Sequence, residues 1–543
     1  MEVQTMKDII DYGAKTYGSQ AAFRYKVRKE IVEKTYLDVK RDSEAFGRAL
    51  DKLGLLGTHV ALIGPTSYEW VASYFGVTNS GGVAVPVDAG LPAAEVCELL
   101  NRADVSALVY DELRADVAAM AREKCPGIRA IVSMQGTAEE ISGESAEQTG
   151  GEMSKAGASQ TGGEALKADA GQTGAEASHA PEFFSLGHLL ADNRGSFSGR
   201  PDPDQLCAIL FTSGTTGKSK GVMLTHRNLT DNAVSVDMGI PSGTVSMTLL
   251  PIHHAYCFTM DILKGLYIGL TICINDSIMH VAKNMKLFKP EIVLLVPMVI
   301  ESIYAKLRDA GSLVPKKLAA KAAFGGNLKT ICSGGAYLDP DYVDRFAEYG
   351  ITILQGYGMT ECSPVISTNL PWDSRKGSVG KLLPNCEAKV VDEEIWVRGS
   401  SVMQGYYKMP KETSEALEDG WLKTGDLGYV DGDGFVYITG RKKNLIILAN
   451  GENVSPEELE NQLSRSLLVK EILVRETGKV IQAEIFPDYE YVKKKHVKDV
   501  NGELQALIDE FNRDIPVYKR IHSLVVRETE FEKTPSKKIK RTQ

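Results

Sequence analysis

Short apolar runs separated by amphipathic stretches fill most of the first 440 residues. "HVALIG" (59–64), "GVAVPV" (82–87), "SALVYD" (106–111), "IRAIVS" (128–133) and "CAILF" (207–211) each read as a strand. Helical patterns such as Glu95–Arg102 lie between them. This alternation predicts α/β layering with much parallel sheet. The longest run of apolar residues and proline, "IVLLVPMVI" at Ile292–Ile300, reads as a buried strand and is too short to cross a bilayer.

The pattern changes after Gly440-Arg441-Lys442-Lys443. Ser455-Pro456-Glu457-Glu458 reads as a helix start with a capping box, and Leu459 and Leu463 mark its apolar face. "KEILVRETGKVIQAEIF" (470–486) predicts a hairpin, followed by a helix over Val500–Ile515 and a strand in "HSLVVRE" (522–528). The expected fold is α/β. A large N-terminal domain of layered sheets and helices, residues 1–440, precedes a small hinged α+β domain, residues 441–543.

One segment fits neither period. "QTGGE", "QTGGE" and "QTGAE" begin at Gln148, Gln160 and Gln172, a twelve-residue repeat poor in large apolar side chains. Residues 148–180 cannot bury a stacked core and read as a disordered surface insertion. Deleting them is expected to leave turnover and Tm nearly unchanged. A loss of several degrees, or a tenfold loss of turnover, would show that the segment packs.

Composition narrows the class of protein. With 43% apolar and 24% charged residues the chain is an ordinary globular one, and a net charge of -9 argues against general nucleic-acid binding. The N-terminal stretch has no basic start leading into an apolar core, so a cytoplasmic location is expected. Eight cysteines stand singly with no C-x-x-C pair, which favours reduced thiols over disulfides or zinc ligands.

Three strand-to-loop junctions carry candidate chemistry. "FTSGTTGKSKG" (211–221) contains Gly217-Lys218-Ser219, but the first glycine of a Walker loop would fall on Thr212. What remains is a loop of hydroxyls and glycine amides with Lys218 and Lys220, suited to wrapping phosphate at a strand's carboxyl end. "KTICSGGAYL" places Gly334, Gly335 and Ala336 after a strand, where a flat ring can approach the backbone. "ITILQGYGMTECSP" places Tyr357, Thr360 and Glu361 after another, and Glu361 is a candidate magnesium ligand facing phosphates. Asp426, between Gly425 and Leu427, is a candidate acceptor for ribose hydroxyls.

These motifs, with "DGWLKTGDLGYVDGDGFVYITGRKKNLIILANGENVSPEELE", make the chain resemble the adenylate-forming superfamily. Acyl-CoA synthetases, peptide-synthetase adenylation domains and beetle luciferases belong to it, and the likeness is greatest to fatty acyl-CoA synthetases. The resemblance runs over nearly the whole chain apart from the repeat. It implies that Thr212, Ser213, Gly214, Thr215, Thr216, Gly217, Lys218 and Lys220 form a phosphate loop, with Ser219 where relatives carry proline. It implies that Gly334, Gly335 and Ala336 border adenine and the acyl carbonyl. In Gly356-Tyr357-Gly358-Met359-Thr360-Glu361, Tyr357 would lie near adenine, Thr360 at the α-phosphate and Glu361 on Mg2+. Asp426 and Arg441 would contact the ribose, and His254 of "PIHHAYCF" would stand beside the activated carboxylate. Lys443 would be the hinge, Gly451 would border the tunnel for CoA, and Lys538, before Ile539, would be the catalytic lysine.

The implied chemistry has two steps. A carboxylate attacks the α-phosphate of ATP, making an acyl-AMP anhydride and expelling pyrophosphate; a thiol then displaces AMP. Charge gathers on the α-phosphoryl oxygens, so a cation placed there favours the transition state. The expected partners are a small carboxylic acid, ATP, Mg2+ and CoA, with an acyl carrier protein as alternative acceptor and peripheral membrane contact open. Rival readings are an acyl-AMP ligase serving a carrier, an amino-acid-activating enzyme (Asp261 being the nearest acid to the histidine motif), and a non-catalytic nucleotide-binding relic.

Overall fold

A computed structural model describes residues 3–136, 180–212, 219–309, 314–448, 452–478, 480–533 and 539–541. The repeat lies outside them except for Ala180.

Two large sheets form the body of the chain. In the eight-stranded sheet the order is Gly405–Tyr406, Lys220–Thr225, Leu206–Thr212, Val83–Val87, His59–Ile63, Val105–Tyr110, Ala130–Ser133 and Glu182–Ser185. All of its pairings are parallel from Leu206–Thr212 onward. In the nine-stranded sheet, Thr352–Gly358, Thr330–Ser333, Ile292–Leu295, Val245–Thr248, Thr271–Ile274 and Ala21–Val27 run parallel in that order, with antiparallel strands at both edges.

The helix Tyr68–Asn79 shows how the two sheets are joined. It is buried almost along its whole length, which a helix apolar on all sides demands. Trp70, Tyr74 and Phe75 meet Phe258 from the other sheet's helical layer, with Tyr74 and Phe258 ring centroids 4.0 Å apart.

A five-stranded sheet follows, centred on Trp421–Val430, which pairs with Glu394–Gly399 and Val436–Arg441. Beyond it, Val469–Thr477, Val480–Pro487 and Ser523–Val526 make a separate three-stranded sheet. Its own core includes Leu459, Leu463, Ile485, Leu504 and Ile508.

Two expectations need correction. The run Ile292–Ile300 is not one strand: Ile292–Leu295 is, and Pro297 opens the helix Pro297–Asp309 because proline cannot donate to a ladder but suits a first helical turn. The loop after Leu206–Thr212 leads into a further strand before the next helix. Lys220–Thr225 returns antiparallel, and only then does the helix His226–Ser235 begin, capped by Thr225. Ser455 precedes the helix Pro456–Leu463 without capping it: its hydroxyl accepts no first-turn N–H and donates to the Thr439 carbonyl at 3.0 Å. Among the described residues no helix is long and apolar enough to cross a membrane.

Candidate active site

Four parallel strands, Val245–Thr248, Ile292–Leu295, Thr330–Ser333 and Thr352–Gly358, deliver their carboxyl ends to one side of the nine-stranded sheet. The loop with His253 and His254, the segment 334–336 and the turn Thr360–Cys362 leave from three of these ends. Ligands collect at such ends in open α/β sheets.

Gly334 permits the close approach expected of it. A Cβ there would stand 3.0 Å from the ring of Tyr256, whose hydroxyl donates to the Cys332 carbonyl at 3.2 Å. The ring laid against the backbone is thus one of the protein's own. Gly335 has φ +84°, and both it and Ala336 are exposed. Gly356 and Gly358 lie within the strand, and a Cβ on Gly358 would fall 2.0 Å from the Pro364 carbonyl oxygen, so only glycine fits.

Three of the expected residues meet at one carboxylate. Asp426 and Arg441 face each other across antiparallel strands, with Arg441 Nε 2.6 Å from Asp426 Oδ1. Tyr357 Oη donates to Asp426 Oδ2 at 2.7 Å. Asp426 is only 3% exposed, and its backbone N–H is held by Thr424 Oγ1 at 3.1 Å. Burial, then the adjacent Asp426, push the Tyr357 phenol well above its usual value, so it remains a donor.

Glu361 belongs to a second cluster. Tyr406 Oη donates to Glu361 Oε1 at 2.9 Å, and Lys220 Nζ stands 4.7 Å from the centre of the Tyr406 ring. The pairing of Gly405–Tyr406 with Lys220–Thr225 brings the end of the hydroxyl-rich loop to this carboxylate. At the other end of that loop, Thr212 pairs with Lys220 and its hydroxyl donates to the Lys220 carbonyl at 3.4 Å. Met359 and Thr360 are half-buried beside Glu361.

The histidines sit 4.2 Å apart, ring to ring, and His254 is the more exposed. Burial, then His254, push the His253 imidazole down to about 4. It is therefore neutral at pH 7, and Asp88 at 3.8 Å forms no ion pair with it. Lys443 lies exposed in the single turn Lys442–Asn444. Its neighbour Lys442 is 2.8 Å from Glu394, and Arg465 of the following sheet domain is 3.2 Å from Asp339, just past the 334–336 segment.

Ser213, Gly214, Thr215, Thr216, Gly217, Lys218, Gly451 and Lys538 lie outside the described residues. Sequence reasoning missed Tyr406, Thr424 and Glu394. "GYY" at 405–407 reads as core aromatics, and nothing local ties it to Glu361.

Residues 10–407 match the AMP-binding enzyme family, and residues 443–543 match the AMP-binding enzyme C-terminal domain. The chain belongs to the AMP-binding enzymes. Among curated AMP-binding relatives, the long-chain-fatty-acid–CoA ligase FadD15 of Mycobacterium bovis is 27% identical, over 95% of this chain and 92% of its own. The long-chain-fatty-acid–CoA ligase of Escherichia coli O157:H7 is 27% identical, over 86% and 82%. The crystal structure of the anthranilate CoA ligase AuaEII with anthranoyl-AMP is similar at a TM-score of 0.78 and 21% identity, over 98% of this chain and 95% of that one. That structural likeness covers the whole AMP-binding fold, small domain included.

Proposed function

We propose that this AMP-binding enzyme activates a medium- or long-chain fatty acid with ATP to acyl-AMP and then transfers the acyl group to CoA, working in the cytoplasm. The names of its full-length relatives support the acid and the acceptor. The observation that carries the nucleotide site is the Asp426 carboxylate held between Tyr357 and Arg441 at the carboxyl-end side of the sheet. A buried carboxylate with two directed partners is preorganised to accept ribose hydroxyls, and Tyr357 lies on the strand next to the one that leads into 334–336, the segment assigned to adenine.

Each remaining residue has a place in this scheme. The 212–220 loop holds the phosphates, Thr360 meets the α-phosphate and His254 flanks the reacting carboxylate. Among the described residues no cluster of three or more His, Cys, Asp or Glu side chains is arranged for a metal. Glu361 is a single hard oxygen donor, which fits Mg2+ that takes its other ligands from phosphate oxygens and water. The ion would offset charge on the departing pyrophosphate. Residues 1–440 and 441–543 act as two bodies turning about Lys443, bringing Lys538 to the site for the first step and Gly451 for the second.

A panel of acids of rising chain length tests the reading. Pyrophosphate release should need a fatty acid, and acyl-CoA should form once CoA is added. Release with amino acids alone, or no thioester with CoA, would overturn the assignment. Asp426→Asn is expected to lower kcat/KM for ATP by roughly tenfold to a hundredfold, the loss of hydrogen bonds to a charged group. An unchanged value would remove Asp426 from the nucleotide site.

A further inference from the structure

We propose that the hairpin tip 27–31 and the segment 276–289 form one docking surface for an anionic lipid bilayer. The two segments leave the nine-stranded sheet side by side. Strand Ala21–Val27 lies parallel to Thr271–Ile274, with Arg24 opposite Cys273, and Lys26 Nζ stands 3.8 Å from Asp276 Oδ2 just beyond the strand ends.

The surface carries strongly exposed apolar side chains. Ile278 and Met279, adjacent on a single helical turn, are 86% and 88% exposed. Val27, Ile31 and Leu287 add exposed aliphatic side chains on the same two segments. Single exposed apolar residues are normal on a soluble protein; a group of them on two neighbouring segments is not.

Charge selects the occupant. Arg28, Lys29, Lys283, Lys286 and Lys289 are exposed around these residues, against Glu30 and Asp276. Asp276 is already engaged by Lys26 and Asn284. A local excess of positive charge on a chain of net charge -9 is complementary to anionic head groups. A protein partner is the weaker reading, because lysine is depleted in protein interfaces while aliphatic tips ringed by lysine suit the membrane boundary.

The location adds a use. Strands 21–27 and 271–274 run parallel to 245–248, so the patch lies on the carboxyl-end side of the sheet that carries the site loops. If the substrate is a long-chain acid, as proposed above, the enzyme meets it where it is dissolved. Docking itself does not depend on that reading.

Co-sedimentation of the full-length protein with lipid vesicles, without ATP or acid, tests the surface separately from the chemistry. Binding is expected to vesicles of phosphatidylcholine with added phosphatidylglycerol, to fall at high salt, and to be weak on phosphatidylcholine alone. Met279→Asp, and separately the pair Lys283→Glu and Lys286→Glu, should each reduce binding about tenfold or more. Tm and acyl-CoA formation from a water-soluble acid should stay unchanged in both. No binding to the anionic vesicles, equal binding to both vesicle types, or undiminished binding by both variants would overturn the proposal. Self-association that Met279→Asp abolishes, in a protein that ignores vesicles, would overturn it in favour of a contact between copies.

Discussion

Lys538→Ala is expected to slow acyl-adenylate formation by roughly 10²–10³-fold, the effect of removing one preorganised donor, and a full charge costs no less. Thioester formation from supplied acyl-AMP and CoA should stay near the wild-type rate. The reason lies in how the tail is fastened. Before the lysine, Lys533 pairs with Glu471 at 2.5 Å and Glu530 at 2.9 Å. After it, Ile539 packs with Leu473, Phe486 and Phe531, and Arg541 is bonded to Glu460 and lies 3.6 Å from Glu457. The described residues on either side of position 538 are thus anchored on the 469–487 hairpin and the helix Pro456–Leu463, so in the proposed two-body scheme the lysine would move with the small domain. Its effect should appear only when that domain faces the α-phosphate. Lys443→Pro, which fixes one backbone torsion at the turn, should impair the thioester step if the arrested state is the adenylating one. Equal slowing of both half-reactions by Lys538→Ala would mean that the lysine is structural, or that one fixed arrangement serves both steps.

The strand Val83–Val87 was legible because burial on both faces leaves an uninterrupted apolar run, with Gly81 and Gly82 just before it. The errors came where a local signal had two uses. Pro297 can end a strand or begin a helix, and the run around it shows only that the segment is buried. Ser455 has the residue type of a cap, yet Gly440 lets it approach closely: a Cβ on Gly440 would stand 2.1 Å from Ser455 Oγ. That contact turns the hydroxyl to the Thr439 carbonyl. The strand Lys220–Thr225 was hidden because its partner's register is set across a loop of glycines and hydroxyls, which carry no period. In the candidate site, Tyr357, Asp426 and Arg441 were singled out by their motifs. Their convergence on one carboxylate depends on a hairpin register and on a strand 69 residues away in sequence, neither of which is locally encoded. Tyr406 was invisible for the same reason.

Glu361→Gln is expected to cut adenylation at least a hundredfold at ordinary Mg2+ concentrations while leaving the fold intact. The amide oxygen of glutamine still accepts the Tyr406 hydroxyl, which lies 2.9 Å from Glu361 Oε1, and the backbone carbonyl of residue 361 still takes the Met403 N–H at 2.9 Å. What is lost is the negative charge, and with it the carboxylate that the proposed scheme offers to a hard cation at this turn. Burial, the larger of the causes that hold the Tyr406 phenol above its usual value, persists in the variant, so tyrosine cannot replace the missing anion at neutral pH. Lys220 adds to the effect, because its ammonium over the Tyr406 ring leaves the cluster more positive once the carboxylate is gone. The measurement is pyrophosphate release against Mg2+ concentration, with Tm as the check on folding. If metal binding is the role of Glu361, the variant's half-saturating Mg2+ concentration should rise and part of the rate should return at high Mg2+. Tyr406→Phe, which keeps the charge and removes only the hydrogen bond, should lose far less. A Glu361→Gln variant with normal rate and normal Mg2+ dependence would show that the ion is held elsewhere. A variant slowed by the same factor at every Mg2+ concentration would show that Glu361 positions Thr360 rather than the metal.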